Sequence, residues 1–86
     1  MGNTVEPAER ARLRWLCRRG TRELDLLLTD FLEHRWAEAP PSVRAAFERL
    51  LTMQDPELYA LLTGRAQPDD PELADVIARI RPRPPA

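Results

Sequence analysis

Lysine is absent from this 86-residue chain, whose thirteen basic residues are all arginine, and cysteine, histidine and serine occur once each, as Cys17, His34 and Ser42. One cysteine excludes an internal disulfide and a thiolate metal cluster, and no His, Cys and carboxylate grouping has metal-ligand spacing. Conventional nucleophile–base sets are missing as well, so no catalytic residue and no metal ligand is assigned. With three glycines in all, the chain has no glycine-rich phosphate loop, which argues against a nucleotide-binding enzyme. No apolar run approaches the ~20 residues that span a bilayer, and no basic-then-apolar signal segment opens the chain. Met1-Gly2-Asn3-Thr4-Val5-Glu6 begins like a myristoylation site, but Glu6 stands where serine or threonine is wanted. The expected compartment is the cytoplasm, without membrane insertion.

Strand-like alternation is also lacking, and the fold class read from the pattern is all-α. The composition, 43% apolar and 31% charged, is that of a globular domain. A chain of this length forms one domain and buries only about 60% of its unfolded surface, leaving little room for a deep catalytic cleft. Residues 1–6 are expected to be flexible, 7–81 to form a five-helix domain, and 82–86 to be a Pro/Arg-rich disordered tail.

Five helical segments follow from periodicity and breaks. The first is predicted from Pro7 to Arg19, with Leu13, Leu16 and Cys17 on one face. The second runs from Arg22 to about Glu38, with Leu24, Leu27, Leu28, Phe31, Leu32 and Trp36 at helical spacing until Ala39-Pro40-Pro41 ends it. A third carries Val43, Ala46, Phe47, Leu50 and Leu51. Asp55-Pro56-Glu57-Leu58 and Asp70-Pro71-Glu72-Leu73 then repeat one start signal: aspartate at the cap, proline in the first turn and glutamate near the positive end of the helix dipole. Leu58, Leu61 and Leu62 face inward in the fourth helix, which Gly64 terminates; Leu73, Val76, Ile77 and Ile80 form the stripe of the fifth.

Charge is unevenly spread. Between Arg10 and Glu23 six arginines (10, 12, 14, 18, 19 and 22) face a single acid, whereas residues 24–86 hold seven arginines and eleven acids. Such a basic end can steer an acidic partner or a nucleic acid. Within it, the stripe of the first helix stops at Gly20, a glycine suited to a left-handed cap, and Thr21 is placed to cap the second helix with Glu23 and Asp25 in its first turn. A missing side chain at Gly20 would equally let a partner approach closely. Trp15 lies off the apolar stripe, so it is either an exposed anchor of the kind enriched at interfaces or packed on another helix. Cys17 reads as a small core residue, and His34 with Asp30 four positions earlier as a surface pair.

These residues carry a resemblance. Arg19-Gly20-Thr21-Arg22-Glu23 matches the Arg-Gly-x-x-Glu signature of the small assembly factors that promote covalent FAD attachment to the flavoprotein subunit of succinate dehydrogenase. Trp15-x-Cys17-Arg18-Arg19-Gly20-x-Arg22-Glu23-Leu24-Asp25, Phe31-x-Glu33-His34, Phe47-x-Arg49-Leu50-Leu51 and Asp55-Pro56-x-Leu58 are similar to that family in order and spacing, over roughly residues 10 to 80. The resemblance implies a compact single-domain five-helix bundle with the signature corner exposed between the first two helices. It also implies a non-catalytic chaperone whose partner is that flavoprotein subunit and, in some bacteria, the one of fumarate reductase. The acceptor histidine belongs to the partner, and no FAD is expected to be held stably by this chain. Partner-binding is thereby expected of Arg19, Gly20 and Glu23 with Arg12, Trp15 and Arg22; Asp55 and Pro56 are either partner contacts or a structural cap. Read without the resemblance, the basic end leaves a small helical nucleic-acid binder as the alternative, although the acidic second half and the absence of lysine argue mildly against it; an antitoxin-like interaction protein is a further alternative, because related sequences have carried that description.

Overall fold

The computed structural model describes residues 8–81; the expected flexible N-terminus, Pro7 and the expected tail 82–86 lie outside the described residues. The chain forms α1 (Ala8–Leu16), α2 (Arg22–His34), α3 (Pro41–Leu51), α4 (Asp55–Leu62) and α5 (Pro71–Ile80), with a short 3-10 helix at Trp36–Glu38, and no strand occurs among the described residues. The all-α expectation holds. All the apolar residues placed on inward stripes of α3, α4 and α5 are buried.

One continuous core draws on every helix: Leu13 and Cys17 from the first segment, Leu24, Leu28, Phe31 and Leu32 from α2, and the stripes of the last three helices. The most extensive helix pairing is between α3 and α5, with α2 packed on α5 and α1 lying across α2 and α3. Phe31 and Phe47 meet at its centre, ring centroids 4.8 Å apart and tilted by 39°. Truncating a fully buried phenylalanine such as Phe47 to alanine costs about 3–5 kcal/mol, a large part of what a domain of this size has to lose.

Helix ends differ from expectation in four places, each with a local cause. The first helix stops at Leu16 and not Arg19: the Cys17 amide is shared between the Leu13 and Arg14 carbonyls, the Arg18 amide turns to the i−3 carbonyl of Trp15, and Arg19 folds back so that Nη1 donates to the Leu16 carbonyl at 3.1 Å. The second stops at His34 and not Glu38, because Arg35 leaves the helical region at φ −131°, which lets Trp36 swing into the core as part of the 3-10 turn. There Arg44 stacks 4.7 Å above the Trp36 ring and donates through Nε to the Trp36 carbonyl at 3.1 Å and through Nη2 to that of Ala37. Thr21 occupies the N-cap position of α2, extended as required, but its side chain makes no capping bond. Finally, Asp55 does not cap α4: the cap position falls on Gln54 and Asp55 is the first helical residue, its carboxylate taken by another partner. Asp70, by contrast, caps α5 as read, accepting from the Glu72 amide at 2.8 Å and from Arg49 at 2.7 Å.

Candidate functional site

The loop between α1 and α2 is the corner singled out in the sequence. Gly20 sits at φ +85°, in the left-handed region that non-glycine residues enter only with strain. It lies well past the end of α1, so it turns the chain into α2 and does not close a helix of its own. A Cβ built there would meet nothing within 4 Å. The glycine is therefore required by its backbone angle and not by close packing inside the molecule, and its bare backbone faces outward.

Asp25 and Arg19 set the corner. The Asp25 carboxylate reaches back from α2 to accept from the Arg19 amide at 2.7 Å, and the Asp25 amide donates to the Thr21 carbonyl at 2.8 Å. Arg19 then turns its guanidinium inward, leaving 12% of the side chain exposed. Nε donates to Asp55 Oδ1 at 2.9 Å, Nη1 to the Leu16 and Leu51 carbonyls at 3.1 and 3.0 Å, and Nη2 to the Met53 carbonyl. Arg19 is thus not the solvated cation that its place beside a helix end suggests. Under it, Cys17 is fully buried, and burial pushes its thiol up to about 11 against the opposing pull of Arg19 and Arg14.

The remaining expected residues surround this corner on the outside. Gly20, Thr21, Arg22 and Glu23 are all exposed, and neither Arg22, Glu23 nor Arg18 has an ion pair or side-chain hydrogen bond among the described residues. Trp15 is 70% exposed, which selects the outward reading of that residue, and it lines a shallow groove with Ala11, Arg14, Arg18 and Thr29. Arg12 lies further along α1, more than half exposed and 3.2 Å from Glu48 of α3. Asp55 meets Arg19 and is the one expected residue tied directly to another; Pro56 is exposed beside it.

Leu26, 61% exposed on α2, escaped the sequence reading. Its signal was present, since position 26 lies nearly opposite position 24 on a helix of 3.6 residues per turn, so the Leu26-Leu27-Leu28 run could not all face the core. His34 and Asp30 form the expected surface pair at 3.0 Å, far down α2 from the corner. Among the described residues there is no group of three or more His, Cys, Asp and Glu side chains suited to a metal ion.

Similarity to known proteins extends over most of the chain. Residues 11–84 match the family model described as flavinator of succinate dehydrogenase. A relative named FAD assembly factor SdhE from Methylococcus capsulatus is 49% identical over 74 residues, covering 86% of this chain and 89% of its own. Proteins of the same name from Idiomarina loihiensis and Pectobacterium atrosepticum are 42% identical over 69 residues (80% and 77% covered) and 39% identical over 79 residues (92% and 90% covered). The family match takes in α1 from Ala11 onward, the corner after it and the whole of α2 to α5, and the chain belongs to the flavinator of succinate dehydrogenase family.

Proposed function

We propose that this protein is an assembly factor that binds the flavoprotein subunit of succinate dehydrogenase, and that of fumarate reductase where present, and promotes covalent attachment of FAD to a histidine of that subunit. The observation that carries the reading is the corner itself: an outward-facing left-handed glycine flanked by unpaired Arg22 and Glu23 and by an exposed tryptophan, in a chain of this family. Charged groups without internal partners at a convex, otherwise folded corner suit recognition of a complementary protein surface. Exposed Trp15 suits an anchor that inserts into an apolar recess of the partner. Gly20, Glu23, Arg22, Trp15 and Arg12 form the contact side in this reading, and Pro56 lies at its edge.

The factor's contribution is positional. By holding the flavoprotein in one arrangement, it keeps the acceptor histidine and the flavin near attack geometry, and the bond-forming atoms all belong to the partner and its FAD. Glu23 orients or hydrogen-bonds at the contact, FAD is not held stably by this chain, and the work is done in the cytoplasm. None of the described helices is long and apolar enough to cross a membrane.

The nucleic-acid alternative draws no support from the arginines. Of the six between positions 10 and 22, Arg10, Arg12, Arg14 and Arg19 are engaged by carboxylates or carbonyls of the same molecule, leaving Arg18 and Arg22 as the open pair. The test is to express the cognate flavoprotein with and without the factor, denature it, and measure protein-bound flavin by gel fluorescence and intact mass. Much more covalent flavin is expected with the factor present. Equal yields under limiting conditions, with no complex detected, sink the proposal, and a salt-sensitive DNA or RNA complex in its place promotes the rival.

A further inference from the structure

We infer that Arg19 is a positioning residue and not a partner contact: with Asp55 it forms a latch that ties the Gly20 corner to the junction of α3 and α4. The inference rests on the function proposed above and assigns different work to two residues expected at its interface. Between the core residues Cys17 and Leu24 the chain runs through six positions without a single buried side chain, and Thr21 supplies no cap to hold it. Only Arg19 reaches inward from this span. Its four donated bonds join the corner to the end of α1 through Leu16, to the end of α3 through Leu51 and Met53, and to the start of α4 through Asp55.

A planar guanidinium can address a carboxylate on one edge and carbonyls of two helices on the others; a lysine ammonium at the end of a flexible stem cannot fan its donors in that way. Asp55, displaced from the cap position, neutralises the latch and is 40% exposed at its outer side. Loss of Asp55 is therefore felt at Gly20, across the loop, through Arg19. The charge that the partner meets at the corner comes from Arg18, Arg22 and Glu23.

The test uses the full chain and three variants: Arg19→Lys, Asp55→Asn and the double substitution. In the free protein, amide hydrogen exchange is followed at Arg19 and Asp25, whose bonds span the corner, with Leu28 and Phe47 as core references. Dissociation constants are then measured for the flavoprotein subunit of succinate dehydrogenase. Arg19→Lys keeps the charge, yet it is expected to weaken the complex roughly tenfold and to speed exchange at the corner while the core references are unchanged. Asp55→Asn is expected to act in the same direction, and the double variant to bind no more weakly than the worse single one.

Wild-type affinity in Arg19→Lys overturns the latch, as do wild-type corner exchange in a weakly binding variant and losses that multiply in the double. Should Arg19→Lys fail to fold, Asp55→Asn, which removes the charge from a single bond of the four, carries both measurements. Failure of the wild-type chain to bind the flavoprotein refutes the functional reading. In that event the exchange arm, which needs no partner, decides the latch: faster exchange at Arg19 and Asp25 supports it, and unchanged exchange overturns it.

Discussion

Substituting Gly20 separates backbone strain from surface contact, because the structure assigns the two to different atoms. At φ +85° any L-residue strains the backbone by about 1–2 kcal/mol, partly offset by the smaller chain entropy of an unfolded state without glycine, for a net loss near ~1 kcal/mol. For a domain of this size that lowers the melting temperature by roughly 4–8 °C. Apart from its chain neighbours nothing lies within 4 Å of the built Cβ, so a new side chain starts into open space. Gly20→Ala and Gly20→Arg are therefore expected to melt within about 2 °C of each other and several degrees below wild type, with helical circular dichroism unchanged. Their binding should differ: Gly20→Arg projects a long cation from the contact side and is expected to abolish the complex with the flavoprotein on gel filtration, whereas Gly20→Ala retains much of it. A much less stable Gly20→Arg refutes the open-corner geometry. A folded Gly20→Arg that binds like wild type refutes the corner as the contact side.

Glu23→Gln preserves shape while removing a charge that no described residue pairs; it should leave melting unchanged and reduce covalent flavin yield more than complex formation, and wild-type flavinylation by the folded variant reduces Glu23 to a helix-terminal charge. Asp70→Ala removes the true cap of α5 and the partner of Arg49, so it should lower the melting temperature without weakening flavoprotein binding. The Arg49 hydrogen bond holds the Asp70 carboxyl below its ordinary value, so this contribution is present above the usual carboxylate range and is lost as pH falls through the lowered value; the variant should show a shallower acid loss of stability than wild type. Cys17 acts at the other extreme: with its folded thiol at about 11 and an unfolded one near 9.0, stability should fall between those pH values, by up to about 3 kcal/mol, and Cys17→Ala melting curves should lack that component.

Much of this molecule was legible because its apolar stripes agree with helical spacing at almost every position, and Pro40, Pro41, Gly64 and Pro71 mark breaks that the chain obeys. Gly20 too was legible, since few residues other than glycine adopt its backbone angle. What sequence could not show is where a polar side chain finds its partner when the partner is distant in the chain. The two Asp-Pro-Glu-Leu segments make the case: Asp70 stays outside α5 and caps it, while Asp55 is drawn one position into α4 with Arg19, 36 residues earlier, on its carboxylate. Identical local chemistry gives two outcomes because one copy has an arginine delivered to it by the fold. The same limit hid the bond to the Arg19 amide from Asp25, which looks in sequence like an ordinary first-turn acid, and left Arg19 among the expected partner-binding residues with no sign of its inward contacts.

The absence of lysine acquires a physical use in this arrangement. A helix leaves carbonyls unpaired at its C-terminal end, and a short, five-helix chain has many such ends close together. Arg10 donates to the Leu32 carbonyl of α2 and Arg19 to those of Leu16, Leu51 and Met53; Arg44 covers the 3-10 turn and Arg35 the Arg79 carbonyl of α5. Among the described residues, only α4 closes without one, through Gly64 at φ +84° and the bonds from Gly64 to Leu61 and from Arg65 to Ala60. Each guanidinium places a cation at the negative end of a helix dipole and can serve two acceptors at once, where lysine offers a mobile point charge. Commitment of Arg10 and Arg19, the two least exposed arginines of the basic end, to internal carbonyls reduces what that end presents to solvent. A stretch that reads as a broad polycationic surface is, once folded, a narrow site in which Arg18 and Arg22 flank one glycine and one glutamate, an arrangement suited to a single protein contact and poorly suited to a phosphate backbone.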